Sequence, residues 1–445
     1  MIDQCETVVV AADWVLPIES EPIPNGFVVI DQGTIQFVGN QLPTEFRSAK
    51  QFGLTGFAIL PGLVNSHCHL EFSDLNEPLP AGDAFPDWIH RLLVYRKSKN
   101  ETPDQSTFSR RAAIRSGIRE SYEAGVRWVV DMTTQPWDPL WIESAVNEIS
   151  ATLSPTVAPN NPIVIQPCIE LLDISQNRLD PSLAFASKQS NAPESKRIGR
   201  MGYAPHASYT ASLKITQLCA ELSRTERRLV TIHLAESIDE MEWLEKRKGT
   251  FLDLLSPIIS NEFFDALGQN SEHVDLLTQA WRATIAHGNY LSQSDLSNLA
   301  IHAKNMAIVH CPRTHRHFGH RHETCSRYPL AERMELGARH FLGTDSRASN
   351  PDLNLWSEAK LVRTEHPSVT SLEILKMITT DPAEFLGIAD RYGAIRVGKP
   401  ATLTAIKLQE NFPRPASTFD VNRIYEAVLL SDTVSSPLEM VLKRG

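Results

Sequence analysis

Residues 283–311 read ATIAHGNYLSQSDLSNLAIHAKNMAIVHC, and within these residues lies one complete strand–helix–strand unit. The apolar run 283–289 has strand length. Ser292 and Ser294 then offer N-caps for a helix over 292–303, and NMAIVHC at 305–311 returns to a buried-strand pattern. Two such strands joined through a helix run parallel, because the crossover brings the chain back to the same end of the sheet. The alternation repeats outward in both directions. Strand patterns occur at 58–65 (AILPGLVN), 126–133 (VRWVVDMT), 162–170 (PIVIQPCIE), 197–205, 229–235 (LVTIHLA) and 339–344, with helical stretches at 104–124, ending at Gly125, and at 211–226 and 370–386. The stretch RIGRMGYAPHAS, strand four, has the weakest pattern. Eight βα units over about 330 residues predict an α/β protein built as a (β/α)8 TIM-type barrel, with its chemistry at the carboxyl ends of the strands.

The two ends of the chain read differently. VVVAADWVL and FVVIDQGTIQFVG, with a turn at Asp31-Gln32-Gly33, and later GAIRVGKPATLTAIKL and IYEAVLLS, are short strands between turns. They predict a small β-sandwich formed by both chain ends, dividing the chain at 1–57, 58–390 and 391–445. The composition, 445 residues with 42% apolar and 22% charged, is that of a globular protein. With 43 basic against 53 acidic residues the formal charge is -10, the wrong sign for a nucleic-acid binder, so a small-molecule partner is expected. Six cysteines, at 5, 68, 168, 219, 311 and 325, form no CxxC pair and suit a reducing cytoplasm. The start carries Asp3, Glu6 and Asp13 with no basic leader pattern, and no stretch approaches the ~20 apolar residues of a membrane span. No membrane partner is expected.

What singles out one end of the barrel is the position of its polar residues. His67 and His69, His206, His233, His287 and Asp345 stand at the carboxyl ends of strands one, four, five, six and eight. A lone histidine is more often a packed or surface residue than a ligand, but six polar residues in register across five strands converge on one pocket. His67 and His69 share a face because side chains alternate along a strand, while Cys68 between them points to the opposite, packing face. Two neutral imidazoles, a third from His233 and the hard oxygen of Asp345 suit one divalent ion, zinc first and iron as the alternative. Such an ion lowers the pKa of water towards ~7. Glu236, three residues past His233, is placed for general acid–base work, with Asp345 as proton acceptor and His287 as a hydrogen-bond partner.

The segments PGLVNSHCHL, APHASYT, HLAES, AHGNYL, HCPRT and GTDS, in this order and spacing, resemble the amidohydrolase superfamily, in particular its cytosine/adenosine-type branch of metal-dependent deaminases and chlorohydrolases. The resemblance covers roughly residues 5–405. It implies the barrel with a β-sandwich from both ends, metal ligands His67, His69, His233 and Asp345, a proton shuttle at Glu236, His287 beside the attacking hydroxide, His206 in contact with substrate, and a homodimer. Binuclear relatives carry a carboxylated lysine at strand four; MGYAPHASYT has none, which implies a single metal. The other deaminase class needs P-C-x-x-C, and here Pro167-Cys168 is followed by Ile169, Glu170 and Leu171. The implied reaction is hydrolytic deamination of a purine-like ring, with an adenine nucleoside derivative favoured. HLEFSDL followed by FPDWIHRLL resembles the aminofutalosine deaminases within that branch; S-adenosylhomocysteine, methylthioadenosine and adenosine are the other candidate substrates. The same metal site serves guanine or cytosine deaminases, cyclic amidohydrolases and triazine chlorohydrolases. A non-catalytic ligand-binding barrel is the rival of another kind.

Glu71, Trp88, Arg91 and Arg313 are candidate substrate contacts, against an amphipathic helix for Trp88 and Arg91 and a surface salt bridge for Arg313. Ser346 is either a pocket hydroxyl or a turn residue. Two features depart from the pattern. The histidine run His310, His315, His317, His320 and His322 reads as a solvated loop, a lid or a second metal site, and Thr402 stands where relatives often carry an acid.

Overall fold

The computed structural model describes residues 7–99, 103–153, 162–174, 176–190, 196–320, 328–410, 412, 419–431 and 435–444. Cys5, His322 and Cys325 lie outside them. Fourteen strands are found among the described residues. The first four, β1 (Val8–Val15), β2 (Ile23–Asp31), β3 (Thr34–Gly39) and β4 (Lys50–Pro61), precede the barrel strands β5 (Leu63–Cys68), β6 (Val126–Thr133), β7 (Val164–Leu171), β8 (Gly202–Pro205), β9 (Leu229–Leu234), β10 (Arg282–His287), β11 (Met306–His310) and β12 (His340–Leu342). Two more, β13 (Leu403–Lys407) and β14 (Ser436–Pro437), follow.

The eight barrel strands hydrogen-bond in sequence order, each pair parallel. Every residue of β6, β7 and β9 is buried, as expected where helices cover one face of a parallel sheet and the barrel interior the other. The ring closes between first and last strand: the His67 carbonyl accepts the N–H groups of Thr344 and Asp345, both at 3.1 Å. Gly343 permits this approach, since a Cβ there would fall 2.8 Å from the His67 Cβ. Closure therefore brings together two site residues that are far apart in sequence.

The chain ends form one six-stranded sheet in the order β14-β13-β4-β1-β2-β3. β1 is antiparallel to β2 and parallel to β4, while β13 joins β4 antiparallel, so C-terminal residues complete an N-terminal sheet. Gln32 and Gly33 both have positive φ, 49° and 71°, which matches a hairpin turn that follows the strand twist.

Three expectations need correction. The run 58–65 is not one strand: 58–61 end β4 in the outer sheet, and barrel strand one starts only at Leu63. The IYEAVLLS segment lies in a helix, Val421–Leu429, capped by the Asp420 carboxylate accepting from the N–H groups of Asn422 and Arg423. Its buried residues Ile424, Tyr425, Val428 and Leu429 lie one turn apart on a helical face, a pattern that a short apolar run hides. The helix expected over 370–386 is two, Ser371–Met377 and Thr380–Leu386. Among the described residues no helix is long and apolar enough to cross a membrane.

Candidate metal centre

Backbone pairing at the strand ends decides which side chains meet. His67 and His69 come off β5, Asp345 is bridged to Cys68 across the barrel seam, and His233 N–H donates to the His206 carbonyl at 3.0 Å. Three residues at the rim, Ala235, His287 and Asp345, have left-handed backbone, with φ of 50°, 66° and 56°. Non-glycine residues are uncommon there, and such turns re-aim side chains at working sites.

The result is a tight convergence. His69 Nε2 lies 3.1 Å from His233 Nε2 and 3.5 Å from Asp345 Oδ1, and His67 Nε2 lies 3.6 Å from the same carboxylate oxygen. Donors about 2.0–2.2 Å from a common ion stand about 3–3.5 Å from one another, so these three separations match ligand pairs of one ion. His67 belongs to two groups whose donors all lie within 4.8 Å of one another, one with His69 and Asp345, the other with His233 and His287. All four residues are at least nine-tenths buried. Burial pushes the imidazoles of His69 and His287 well below their usual pKa and that of His233 down to about 4, which leaves them neutral with lone pairs to offer. Burial opposes ionisation of Asp345, yet the surrounding imidazoles of His67, His69 and His287 hold its pKa below the usual carboxylate range. Ser349 donates to Asp345 Oδ2 at 2.6 Å, fixing the carboxylate while Oδ1 faces the histidines.

Glu236 sits beside this cluster, with Oε1 3.5 Å from His287 Nε2. Burial and the charges of Asp345 and Glu240 push its pKa well above the usual carboxyl range, which favours its protonated form. Its loop is pinned by Glu240, whose carboxylate accepts the N–H groups of Ala235 and Glu236, each at 2.8 Å, and by Asn289, which donates to the Glu236 carbonyl. Glu240 escapes a reading of the sequence, since an acid in the first turn of a helix is ordinary. Glu170 escapes it too, as one more residue of the β7 strand pattern, and lies 3.8 Å from His69 Nδ1.

The remaining candidates divide. His206 reaches the cluster, its Nδ1 2.6 Å from Thr210 Oγ1, and it can share a ligand group with Glu170 and His233. Trp88 donates from Nε1 to the Ala348 carbonyl and packs on Phe85 and Phe318 over the loop that follows Asp345. Glu71 is not brought to the cluster: it is buried in an ion-pair group with Arg96, Arg110 and Thr134. Arg313 is also turned away, binding Glu358 and Asp352 at 2.7 Å each. Both pairings have one cause, partners remote in sequence. Arg91 donates to the Pro80 carbonyl on the exposed side. Ser346 accepts the Ala348 N–H, as a turn residue does. Thr402 uses its carbonyl to hold Gly62 N–H, at 2.7 Å, against the outer sheet. Cys68 is fully buried in the apolar core.

Because Glu358 is fully buried, removing its cation leaves a charge without compensation. Arg313→Met is expected to destabilise the fold by about 3–5 kcal/mol in urea titration, with the KM of the folded fraction unchanged. A stable variant with a raised KM would return Arg313 to the substrate.

The run after β11 folds back over the site. Phe318 packs on Trp88, and His317 Nε2 is 3.0 Å from the Leu79 carbonyl. Among the described residues, the groups able to hold a metal draw on His67, His69, Glu170, His206, His233, His287 and Asp345, and on none of the histidines of that run.

Residues 58–436 match the family model described as Amidohydrolase family. A 5-methylthioadenosine/S-adenosylhomocysteine deaminase of Pyrococcus horikoshii is 32% identical over 80% of this chain and 76% of its own length. The structure of Helicobacter pylori aminofutalosine deaminase in complex with methylthio-coformycin superposes with a TM-score of 0.76 at 20% identity, covering 96% of this chain and 97% of that one. An atrazine chlorohydrolase of Arthrobacter aurescens TC1 complexed with zinc superposes with a TM-score of 0.67 at 19% identity, covering 93% and 90%. At these identities the two structures speak for the fold, and with the matched model and the Pyrococcus relative they lead to one assignment: the chain belongs to the amidohydrolase family.

Proposed function

We propose that this chain is a metal-dependent hydrolase of carbon–nitrogen bonds that deaminates the purine-like ring of an adenine nucleoside derivative, releasing ammonia. The observation that carries the proposal is the set of three short contacts, His69 to His233, His69 to Asp345 and His67 to Asp345, at 3.1–3.6 Å, beside a buried carboxyl whose pKa is pushed up. The donor set fits a divalent ion: both ring nitrogens of His67 and Nδ1 of His69 are buried without a hydrogen-bond partner among the described residues, as expected of imidazoles arranged for a cation. His67, His69, His233 and Asp345 would hold it, and zinc is the first choice for such nitrogen and oxygen donors. Bound there, it supplies Lewis acidity that makes water a nucleophile near neutral pH.

The chain's own groups do the rest. Water adds to the amidine carbon, and Asp345, ionised at the rim, accepts one of its protons. Glu236 gives its proton to the ring nitrogen. Asp345 then passes the proton it took to the exocyclic amine, the C–N bond breaks and ammonia leaves, while the hydroxyl proton returns to Glu236 as the ring carbonyl forms. His287 Nε2, facing Glu236 Oε1, hydrogen-bonds the attacking oxygen. His206 contacts the ring, and the Trp88, Phe85 and Phe318 group over the mouth limits access of bulk water.

The name of the Pyrococcus relative and the coformycin complex of the Helicobacter protein support a nucleoside substrate. Buried, unpaired thiols at Cys68, Cys168, Cys219 and Cys311 fit a reducing cytoplasm. The chlorohydrolase neighbour keeps one alternative open, displacement of chloride from a triazine. An ammonia-release screen of the zinc-loaded protein over adenosine, methylthioadenosine, S-adenosylhomocysteine, aminofutalosine, guanine and cytosine, with chloride release from atrazine in parallel, tests the reading. Turnover is expected on an adenine nucleoside derivative. Chloride release without ammonia from any of the six contradicts it.

A further inference from the structure

Glu170 is the penultimate residue of strand β7, and only 4% of its side chain is exposed. Its Oε1 is buried and lacks a hydrogen-bond partner among the described residues; so is the Nδ1 of His69, and the two face each other at 3.8 Å. A neutral imidazole carries one N–H, so if His69 gives Nε2 to a cation its proton must sit on Nδ1 and needs an acceptor. His233 already has one: its Nδ1 lies 2.7 Å from the His206 carbonyl. His69 has only the carboxylate across the gap. Arg96 interacts with Glu170 through its charge and ion-pairs with Glu71, which leaves Oε1 aimed at the ring.

We infer that Glu170 is a positioning residue, accepting the His69 Nδ1–H and so fixing the tautomer and tilt with which His69 presents Nε2. The inference rests on the cation-binding reading above. A separation of 3.8 Å is too long for a hydrogen bond, and closing it takes a shift of about 1 Å. Carboxylates behind metal-bound histidines commonly raise metal affinity about 10- to 100-fold.

The test is zinc affinity by chelator competition, with the visible spectrum of the cobalt-substituted protein, for the unmodified chain, Glu170→Ala, Glu170→Met and Glu170→Gln. Glu170→Ala and Glu170→Met are expected to bind zinc about 10- to 100-fold more weakly and to alter the cobalt bands. Their metal-free melting temperatures should remain at or above that of the parent. Glu170→Gln, whose amide oxygen still accepts the N–H, should recover affinity to within a few-fold. Where Glu170→Ala does not fold, the comparison of Met with Gln decides the same point. Parental zinc affinity in the Ala and Met variants, with or without a raised KM, overturns the role of Glu170. Absence of zinc binding in the unmodified chain overturns the cation reading itself.

Discussion

Glu236→Gln is expected to lose about 10²- to 10⁴-fold in kcat while retaining the metal content of the parent protein. The substitution keeps the side chain's shape and its acceptor oxygen but removes the proton. Glu236 faces His287 at 3.5 Å and stands outside the group of donors that converge on Asp345 Oδ1, so the cation site survives. Burial and the neighbouring charges of Asp345 and Glu240 push the carboxyl's pKa up, towards its neutral form, and glutamine is neutral as well. Fold and metal should therefore change little, and the loss should fall on kcat more than on KM. Steady-state ammonia release with metal analysis of the same sample checks this. A kcat within tenfold of the parent would remove Glu236 from the chemistry.

Asp345→Ala acts one step earlier. Its Oδ1 is the atom common to the His67 and His69 contacts, and its Oδ2 accepts from Ser349 at 2.6 Å and Thr314 at 3.3 Å. Removing it takes the one carboxylate from a donor set otherwise made of imidazoles, and it takes a buried acceptor from Ser349 and Thr314, which keep their 3.0 Å contact with each other. Metal content is expected to fall from about one ion per chain to below about 0.1, with no measurable turnover. Full occupancy in this variant would show that the ion is held by other groups.

The sequence reveals much of this arrangement because the barrel uses short-range signals. Strand-length apolar runs ending in His or Asp place His67, His69, His233, His287 and Asp345 at one rim, and period-two alternation orients the first pair. What eludes it depends on contacts distant in the chain. Glu71 and Arg313 look like substrate contacts until Arg96 and Arg110, and Glu358 and Asp352, fold onto them. Glu170 and Glu240 lie in an apolar strand and an acidic helix start, where no local pattern sets them apart. The β4–β5 boundary is hidden because apolar residues continue through Pro61-Gly62 from the outer sheet into the barrel. A non-catalytic barrel would have no need of a buried carboxyl with a raised pKa beside the His67, His69, His233 and Asp345 side chains.

The most direct test is anomalous X-ray scattering at the zinc edge from crystals of the zinc-loaded protein. One peak per chain is expected, about 2.0–2.2 Å from His67 Nε2, His69 Nε2, His233 Nε2 and Asp345 Oδ1. A peak elsewhere, or none in crystals that release ammonia from a nucleoside, would overturn the single-ion site.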